Sequence, residues 1–369
     1  MAAERFLLKD MFDVDSVGRI ADAIARALPG FDATSFLGAV FDEQWPDREL
    51  KQRMRHIATL LHGTLPGSYR EQLSTLLDAV PHTPGRFPAM VYSDFVEAFG
   101  TGDWDASVPA LERFTTLVSA EFAVRPFIAE SPARTLAQML EWAHSGDPAV
   151  RRLATEGCRP RLPWGRRLHA LVEDPSPVIP ILDRLRDDPD EAVRRSVANN
   201  LNDISKDHPD LVVGVLRRWL GAPTERTAPL ARHALRTLLK AGHPGALDLM
   251  GFATDPAVCA IDVAVTPGAV EIGGTASLSF TLVSTGYTGQ RLMVDYALHY
   301  LRADGASSRK VFKLKTLTLA PGRRATLTRP LRLRQMSTRT LRPGTHRVEV
   351  MANGVSLASV AFEVFPGPV

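Results

Sequence analysis

Cysteine is scarce in this chain of 369 residues: Cys158 and Cys259 are its two thiols. Two thiols a hundred positions apart give no disulfide framework, and a reducing cytoplasm suits such a chain. The opening stretch Met-Ala-Ala-Glu-Arg-Phe-Leu-Leu-Lys-Asp lacks the apolar core of a secretory signal. No apolar run approaches the ~20 residues that a membrane span needs. The expected location is therefore the cytoplasm, with no membrane partner. A Walker motif is missing, which argues against P-loop nucleotide chemistry. Gly100-Thr101-Gly102 does not open a strand–turn–helix unit and lacks the third glycine of a dinucleotide fingerprint. The ten histidines show no metal spacing with Cys or Glu, and His56 and His62, six apart, do not share a helix face. Low-complexity segments are absent too. None of these signals calls for a metal or a nucleotide cofactor.

What is present is an ordinary globular composition, 45% hydrophobic and 23% charged, with enough residues for two domains and a large core. The net charge of +3 hides an uneven distribution. Residues 1–145 hold 13 Lys+Arg against 20 Asp+Glu, residues 146–257 hold 17 against 15, and residues 258–369 hold 14 against 6. Two readings fit the last figure: a C-terminal part that meets a polyanion, or a solubilising basic surface on a β domain.

The first 250 residues read as helices joined by Pro/Gly turns. In residues 1–30, Val17, Ile20, Ala21, Ile24 and Leu28 form one apolar face, ended by Pro29-Gly30. Two helices are expected between Phe31 and Leu65, another over Tyr69–Val80, a loop at 81–85, then helices over Phe95–Phe99, Ala106–Phe127 and Leu136–Trp142. Val150-Arg151-Arg152 and Val193-Arg194-Arg195 lie 43 residues apart, inside the ~40–47-residue period of HEAT and armadillo repeats. Asp147-Pro148 precedes the first triplet and Asp188-Pro189 the second, each a helix-start signal. From about residue 258 the period shifts from 3.6 to 2. Seven strands are expected: 261–265, 276–283, 292–300, 312–319, 326–333, 346–351 and 355–364, with Asn353-Gly354 as a hairpin turn between the last two. The expected architecture is mainly α: a HEAT-like α-solenoid over 1–252, a linker at 253–259, and an all-β immunoglobulin-like sandwich over 260–369.

Some polar residues exceed what a solenoid needs. Val197, Leu201 and Ile204 make a core stripe, while Arg195, Asn199 and Asp203, spaced by four, share another face. One repeat earlier, Arg152 and Glu156 occupy the positions of Arg195 and Asn199, and Glu121 lies 35 residues before Glu156. Stacked repeats would set these side by side as a carboxylate cluster beside arginines. The same pattern also reads as solvated ion pairs on helix faces, worth ~0.3–0.5 kcal/mol each. Trp164 ends the proline-flanked segment Arg159-Pro-Arg-Leu-Pro163, which cannot be helical. It is either a plug in the groove or an exposed platform for a sugar or base, with Arg159, Arg161, Arg166 and Arg167 around it as phosphate contacts would be. Cys158 reads as a small residue at a helix end in preference to an activated thiol.

Leu153-Ala-Thr-Glu-Gly-Cys-Arg-Pro-Arg-Leu-Pro-Trp164 and Val197-Ala-Asn-Asn-Leu-Asn-Asp-Ile-Ser-Lys-Asp-His-Pro209 resemble signature segments of the AlkC branch of the HEAT-like-repeat DNA alkylation-repair glycosylases. The basic tail, with Tyr296-Ala-Leu-His-Tyr-Leu-Arg302 and Phe312-Lys-Leu-Lys315, resembles the immunoglobulin-like domain of that branch. The resemblance implies hydrolysis of the N-glycosidic bond of cationic alkylated bases, chiefly 3-methylcytosine and 3-methyladenine, in duplex DNA and without base flipping, as the first step of base excision repair. It implies Glu156, Asp203 and Glu121 as catalytic carboxylates and Trp164 as a substrate contact. Arg152, Arg159, Arg161, Asn199, Lys313 and Lys315 are the further expected DNA contacts, and a monomer is the expected state. The competing reading is a non-catalytic HEAT adaptor or lesion-binding protein. An adaptor would show apolar anchors on its inner face, where this chain places Arg, Glu, Asn and Asp.

Overall fold

The computed structural model describes residues 7–85, 87–335 and 340–367. Among them sixteen α-helices precede eight strands. The helices are α1 (Val14–Ala27), α2 (Ala33–Val40), α3 (Leu50–Thr64), α4 (Tyr69–Ala79), α5 (Met90–Phe99), α6 (Trp104–Thr115), α7 (Arg125–Glu130), α8 (Pro132–Trp142), α9 (Pro148–Glu156), α10 (His169–Glu173), α11 (Ile179–Leu185), α12 (Glu191–Ile204), α13 (Pro209–Gly221), α14 (Thr227–Ala234), α15 (Arg236–Ala241) and α16 (Pro244–Leu249). The chain divides into two compact units. One runs to Asp207 and includes Pro223–Ala234; the other takes His208–Ala222 and everything from Leu235. No helix of the described residues is long and apolar enough to cross a membrane.

In the first unit each helix packs on near neighbours in the chain: α1 on α2 and α4, α3 on α5, α6 on α9, α9 on α12, α12 on α14. Aspartates start many of these helices. Asp13, Asp32, Asp103, Asp147 and Asp190 each accept a main-chain N–H of the first turn, and the first three account for part of the acidic excess of residues 1–145. The 43-residue repeat holds to the level of single bonds. Arg151 Nη1 donates to the carbonyls of Ser145 and Gly146, and Arg194 Nη1 donates to those of Asp188 and Pro189. That register makes Asp190, not Asp188, the partner of Asp147. Asp188 is buried instead and takes both ends of the Arg151 guanidinium at 2.6 and 3.0 Å, tying one repeat to the next.

Two helix readings need correction. The expected helix over 106–127 stops at Thr115 and resumes at Arg125. Thr115 Oγ1 accepts the Ala120 N–H, and Ser119 bonds Glu121, so local side-chain bonds win over the helix between them. The 1–30 helix is confined to α1 behind a 3₁₀ turn at Leu8–Met11, and the part of that reading on residues 1–6 lies outside the described residues.

In the second unit the strands are β1 (Val258–Thr266), β2 (Ala269–Glu271), β3 (Thr275–Ser284), β4 (Gln290–Leu301), β5 (Ser307–Leu319), β6 (Arg324–Arg332), β7 (Gly344–Ala352) and β8 (Val355–Phe365). They form two sheets, ordered β1-β3-β6 and β2-β8-β7-β4-β5, antiparallel except for the β2/β8 pair. Alternation explains the core: Ala276, Leu278, Phe280 and Leu282 of β3 and Leu292, Val294, Tyr296 and Leu298 of β4 point inward. Burying such apolar side chains contributes ~1.5–3 kcal/mol each. All seven expected strands are present; β2, three residues long, was too short to show a period. Asn353 and Gly354 turn β7 into β8 with φ of 49° and 82°, as a two-residue hairpin requires. The end of α15 rests on that turn. A Cβ on Gly354 would lie 2.3 Å from Gly242 Cα, so neither helix end nor hairpin tolerates a side chain there.

Candidate active site

The polar cluster forms where α9 meets α12. Ser196, Asn200 and Asp203, at i, i+4 and i+7, share the face of α12 that lies against the end of α9. Asn200 Nδ2 donates to Thr155 O at 2.9 Å, Thr155 Oγ1 donates to Ser196 Oγ at 2.6 Å, and Ser196 Oγ donates to Glu156 Oε2 at 2.5 Å. Glu156 Oε1 accepts from Arg159 Nη1 at 2.6 Å. The same guanidinium donates through Nε to Asp203 Oδ2 at 2.8 Å. Lys206 Nζ closes the chain on Asp203 Oδ1 at 2.9 Å. Thr155, Ser196, Glu156, Arg159 and Asp203 are all buried. Both carboxylates are thus held by charge-assisted bonds in surroundings where such bonds are strong and their loss is costly.

Glu121 arrives from the non-helical stretch between α6 and α7. Its Oε2 accepts from Ser119 Oγ at 2.7 Å and from Arg152 Nη2 at 2.9 Å. Its Oε1 has no donor among the described residues. A cavity of about 290 Å³ collects Glu121, Arg152, Glu156, Arg159 and Trp164, with Met54, Met90 and Phe122 as apolar wall. Asp203 does not line it and is linked to it through Arg159.

Trp164 stands on the loop that follows α9. It is 64% exposed, and its backbone is left-handed, with φ of 62°. Such a φ is rare for a bulky residue and costs an L-residue ~1–2 kcal/mol. The loop is fastened by Gly165 N–H on Leu162 O at 3.1 Å and Leu168 N–H on Pro160 O at 3.2 Å. With this exposure the ring lines the cavity without filling it.

The other expected contacts separate. Arg159 turns inward and pairs with Glu156 and Asp203 while still lining the cavity; the sequence does not say which way an arginine beside a proline turn will point. Arg161 is a bidentate partner of Asp207 at 2.9 and 2.7 Å. Arg166 and Arg167 are exposed. Asn199 leaves the cluster and takes the imidazole of His233 on α14 at 3.0 Å. Arg195 is exposed and pairs with Glu191. On β5, Lys313 pairs across from Asp295 and Lys315 from Val294, with a bulge between. Cross-strand partners share a face, so the two lysines fall on opposite faces, not one as strict alternation implies. Cys158 is fully buried, and burial pushes its thiol up to about 12, which makes it inert at neutral pH. Ser119, Ser196, Lys206 and Arg125 belong to the arrangement and were not singled out by pattern. For Arg125 a signal existed: an arginine amid Phe122-Ala-Val-Arg-Pro-Phe127, otherwise wholly apolar.

Among the described residues no group of three or more His, Cys, Asp or Glu is placed to hold a metal ion. The chain matches the family model described as DNA alkylation repair enzyme over residues 115–238, and the model of the C-terminal Ig-like domain of YhaZ over 260–366. It is 38% identical over 357 residues to the protein YhaZ of Bacillus subtilis (strain 168), covering 97% of this chain and 99% of that one. A solved structure of the Pseudomonas fluorescens alkylpurine DNA glycosylase AlkC, bound to DNA containing an abasic site analog, superposes with a TM-score of 0.92 at 40% identity, covering 98% of this chain and 100% of that one. With a match of this extent over both units and their order, the chain belongs to the AlkC branch of the DNA alkylation repair enzyme family.

Proposed function

We propose that this protein is a DNA glycosylase that hydrolyses the N-glycosidic bond of cationic N3-methylated bases, 3-methylcytosine and 3-methyladenine, in duplex DNA, acting as a monomer and without base flipping. The observation that carries the reading is the cavity in which Glu121 and Glu156 meet an exposed Trp164. A methylated base that is already positive leaves without an acid to protonate it. What remains is to stabilise the oxocarbenium-like sugar and to aim a water at it, and fixed carboxylates do both.

Each residue has a part suited to its surroundings. Glu156 is aimed by Ser196 and Arg159, so its charge is in place before the reaction and no reorganisation is needed at the barrier. Asp203 keeps Arg159 in register. Glu121 offers Oε1, which has no donor among the described residues, to the attacking water. Trp164 lays a flat face against the sugar and sheds bulk water from it. A platform that projects from the surface suits a nucleotide left in its stack, whereas a flipped base is received into a snug pocket. Lys313 or Lys315, with the other cations of the β unit, supplies phosphate contacts.

The test is release of free methylated base from alkylated duplex DNA by the purified protein, with EDTA present. Excision in EDTA is the expected result; no release from either lesion would refute the reading. A 2-aminopurine placed beside the lesion tests the second half of the proposal: its fluorescence is expected to stay low on binding, before any base is released, and a rise at that stage would mean the base leaves the stack.

A further inference from the structure

Arg125, the first residue of α7, is wholly buried and has no carboxylate partner among the described residues. An interior charge without a counterion is costly, and an apolar side chain would fill the volume at less expense in free energy. Burial lowers its pKa to about 10, so it is still a cation at neutral pH. Its Nε and Nη1 donate to main chain, while Nη2 is buried without a partner among the described residues. Nε donates to Arg166 O at 2.6 Å, and Nη1 donates to Gly157 O and Arg159 O at 2.8 Å each. These carbonyls lie at the two ends of the segment that carries Arg159 and Trp164. Gly165 lets that segment sink onto the guanidinium: a Cβ there would lie 3.2 Å from Arg125 Nε and 3.1 Å from Leu162. Only a planar fork of several donors can hold both ends of a loop at once, and lysine, a point charge, cannot.

Resting on the glycosylase reading above, we propose that Arg125 is a positioning residue for base excision. It closes the 157–166 segment from beneath, so that Arg159 is delivered between Glu156 and Asp203 and Trp164 is held at the cavity. It touches no substrate and acts through the loop.

The experiment uses the full chain with Arg125→Lys and Arg125→Gln. Three readouts are taken: single-turnover excision at saturating DNA, the half-saturating DNA concentration, and amide exchange in peptides spanning 157–168. The expected result for folded Arg125→Lys is a rate loss approaching ~10²-fold, the size that a displacement of about 1 Å produces. Half-saturation should stay unchanged, and exchange should quicken in 157–168 and nowhere else. Arg125→Gln should lose more rate and exchange faster still in 157–168; if it does not fold, the lysine variant decides. A structural role alone would lower the melting temperature while the folded fraction kept the full rate and the wild-type exchange in 157–168, and that outcome overturns the proposal. If the wild-type protein releases no base, the glycosylase reading fails by itself; unchanged exchange in both variants would then still overturn the clamp, and faster exchange would uphold it.

Discussion

Arg159 Nε lies 2.8 Å from Asp203 Oδ2, although 44 positions separate the two residues. The guanidinium that makes this contact also holds Glu156, so two carboxylates from two repeats share one buried cation. The helical repeat creates the site by bringing the end of one helix onto the face of its counterpart.

Removing that cation should therefore damage fold and chemistry together. Arg159→Ala is expected to cost about 3–5 kcal/mol of stability, because it leaves two buried carboxylates facing each other. Excision should fall ~10²–10³-fold in the protein that remains folded. Urea unfolding and single-turnover assays measure the two losses separately; a variant as stable as wild type would show that Arg159 is not the shared counterion.

Trp164 separates stability from recognition. Its left-handed φ of 62° is strained and its ring is exposed, so Trp164→Gly should keep or slightly raise stability. Discrimination of damaged from undamaged DNA should fall by ~1–3 kcal/mol, with general affinity little changed. Equal losses on both DNAs, or an unfolded variant, would argue for a packing role.

Much of this was readable in the chain. The period-2 pattern located seven strands, Asn353-Gly354 located the hairpin, and the two Val-Arg-Arg triplets located the repeat. Glu121, Glu156, Arg152 and Trp164 do meet around one cavity. What pattern could not supply was the direction in which a long side chain turns: Arg159 points inward and Asn199 goes to His233. The bulge that separates Lys313 from Lys315 did leave a mark, the odd step from Leu314 to Leu317 between core-packed residues, which strict alternation from Lys313 to Lys315 passes over. The stretch after Thr115 kept helical spacing while its own hydroxyls bonded the backbone, so periodicity misread it.

That bulge should limit how many of the two lysines meet one DNA backbone. Lys313→Ser and Lys315→Ser, made singly and together, test whether one backbone contacts both. Each lost phosphate contact flattens the slope of log affinity against log salt by ~0.9. Lysines on opposite faces cannot follow the same strand, so one single variant and the double variant should share a change of ~0.9. A change near twice that in the double variant would mean that both reach DNA.

Asp295 gives the β unit a pH dependence. The residue is almost wholly buried on β4, and burial, against the pull of Lys240 and Lys313, raises its carboxyl to about 6. A folded-state pKa above the unfolded ~3.9 means that the folded form binds the proton more tightly. Stability therefore gains as pH falls from about 6 towards 4, and above 6 the ionised group costs about 2–3 kcal/mol. Asp295→Asn should stabilise the protein at pH 7.5 and make no difference near pH 4, as read by urea unfolding across that range. A gain independent of pH would place the effect elsewhere.

The most direct test of the account is the single-turnover rate of base release from alkylated duplex DNA by Glu121→Gln and Glu156→Gln beside wild type. Each substitution keeps the shape of the side chain and removes its charge. If these carboxylates steady the sugar cation and aim the water, each variant stays folded, binds DNA as before and loses ~10²–10³ in rate. Folded variants that release base at the wild-type rate would contradict it.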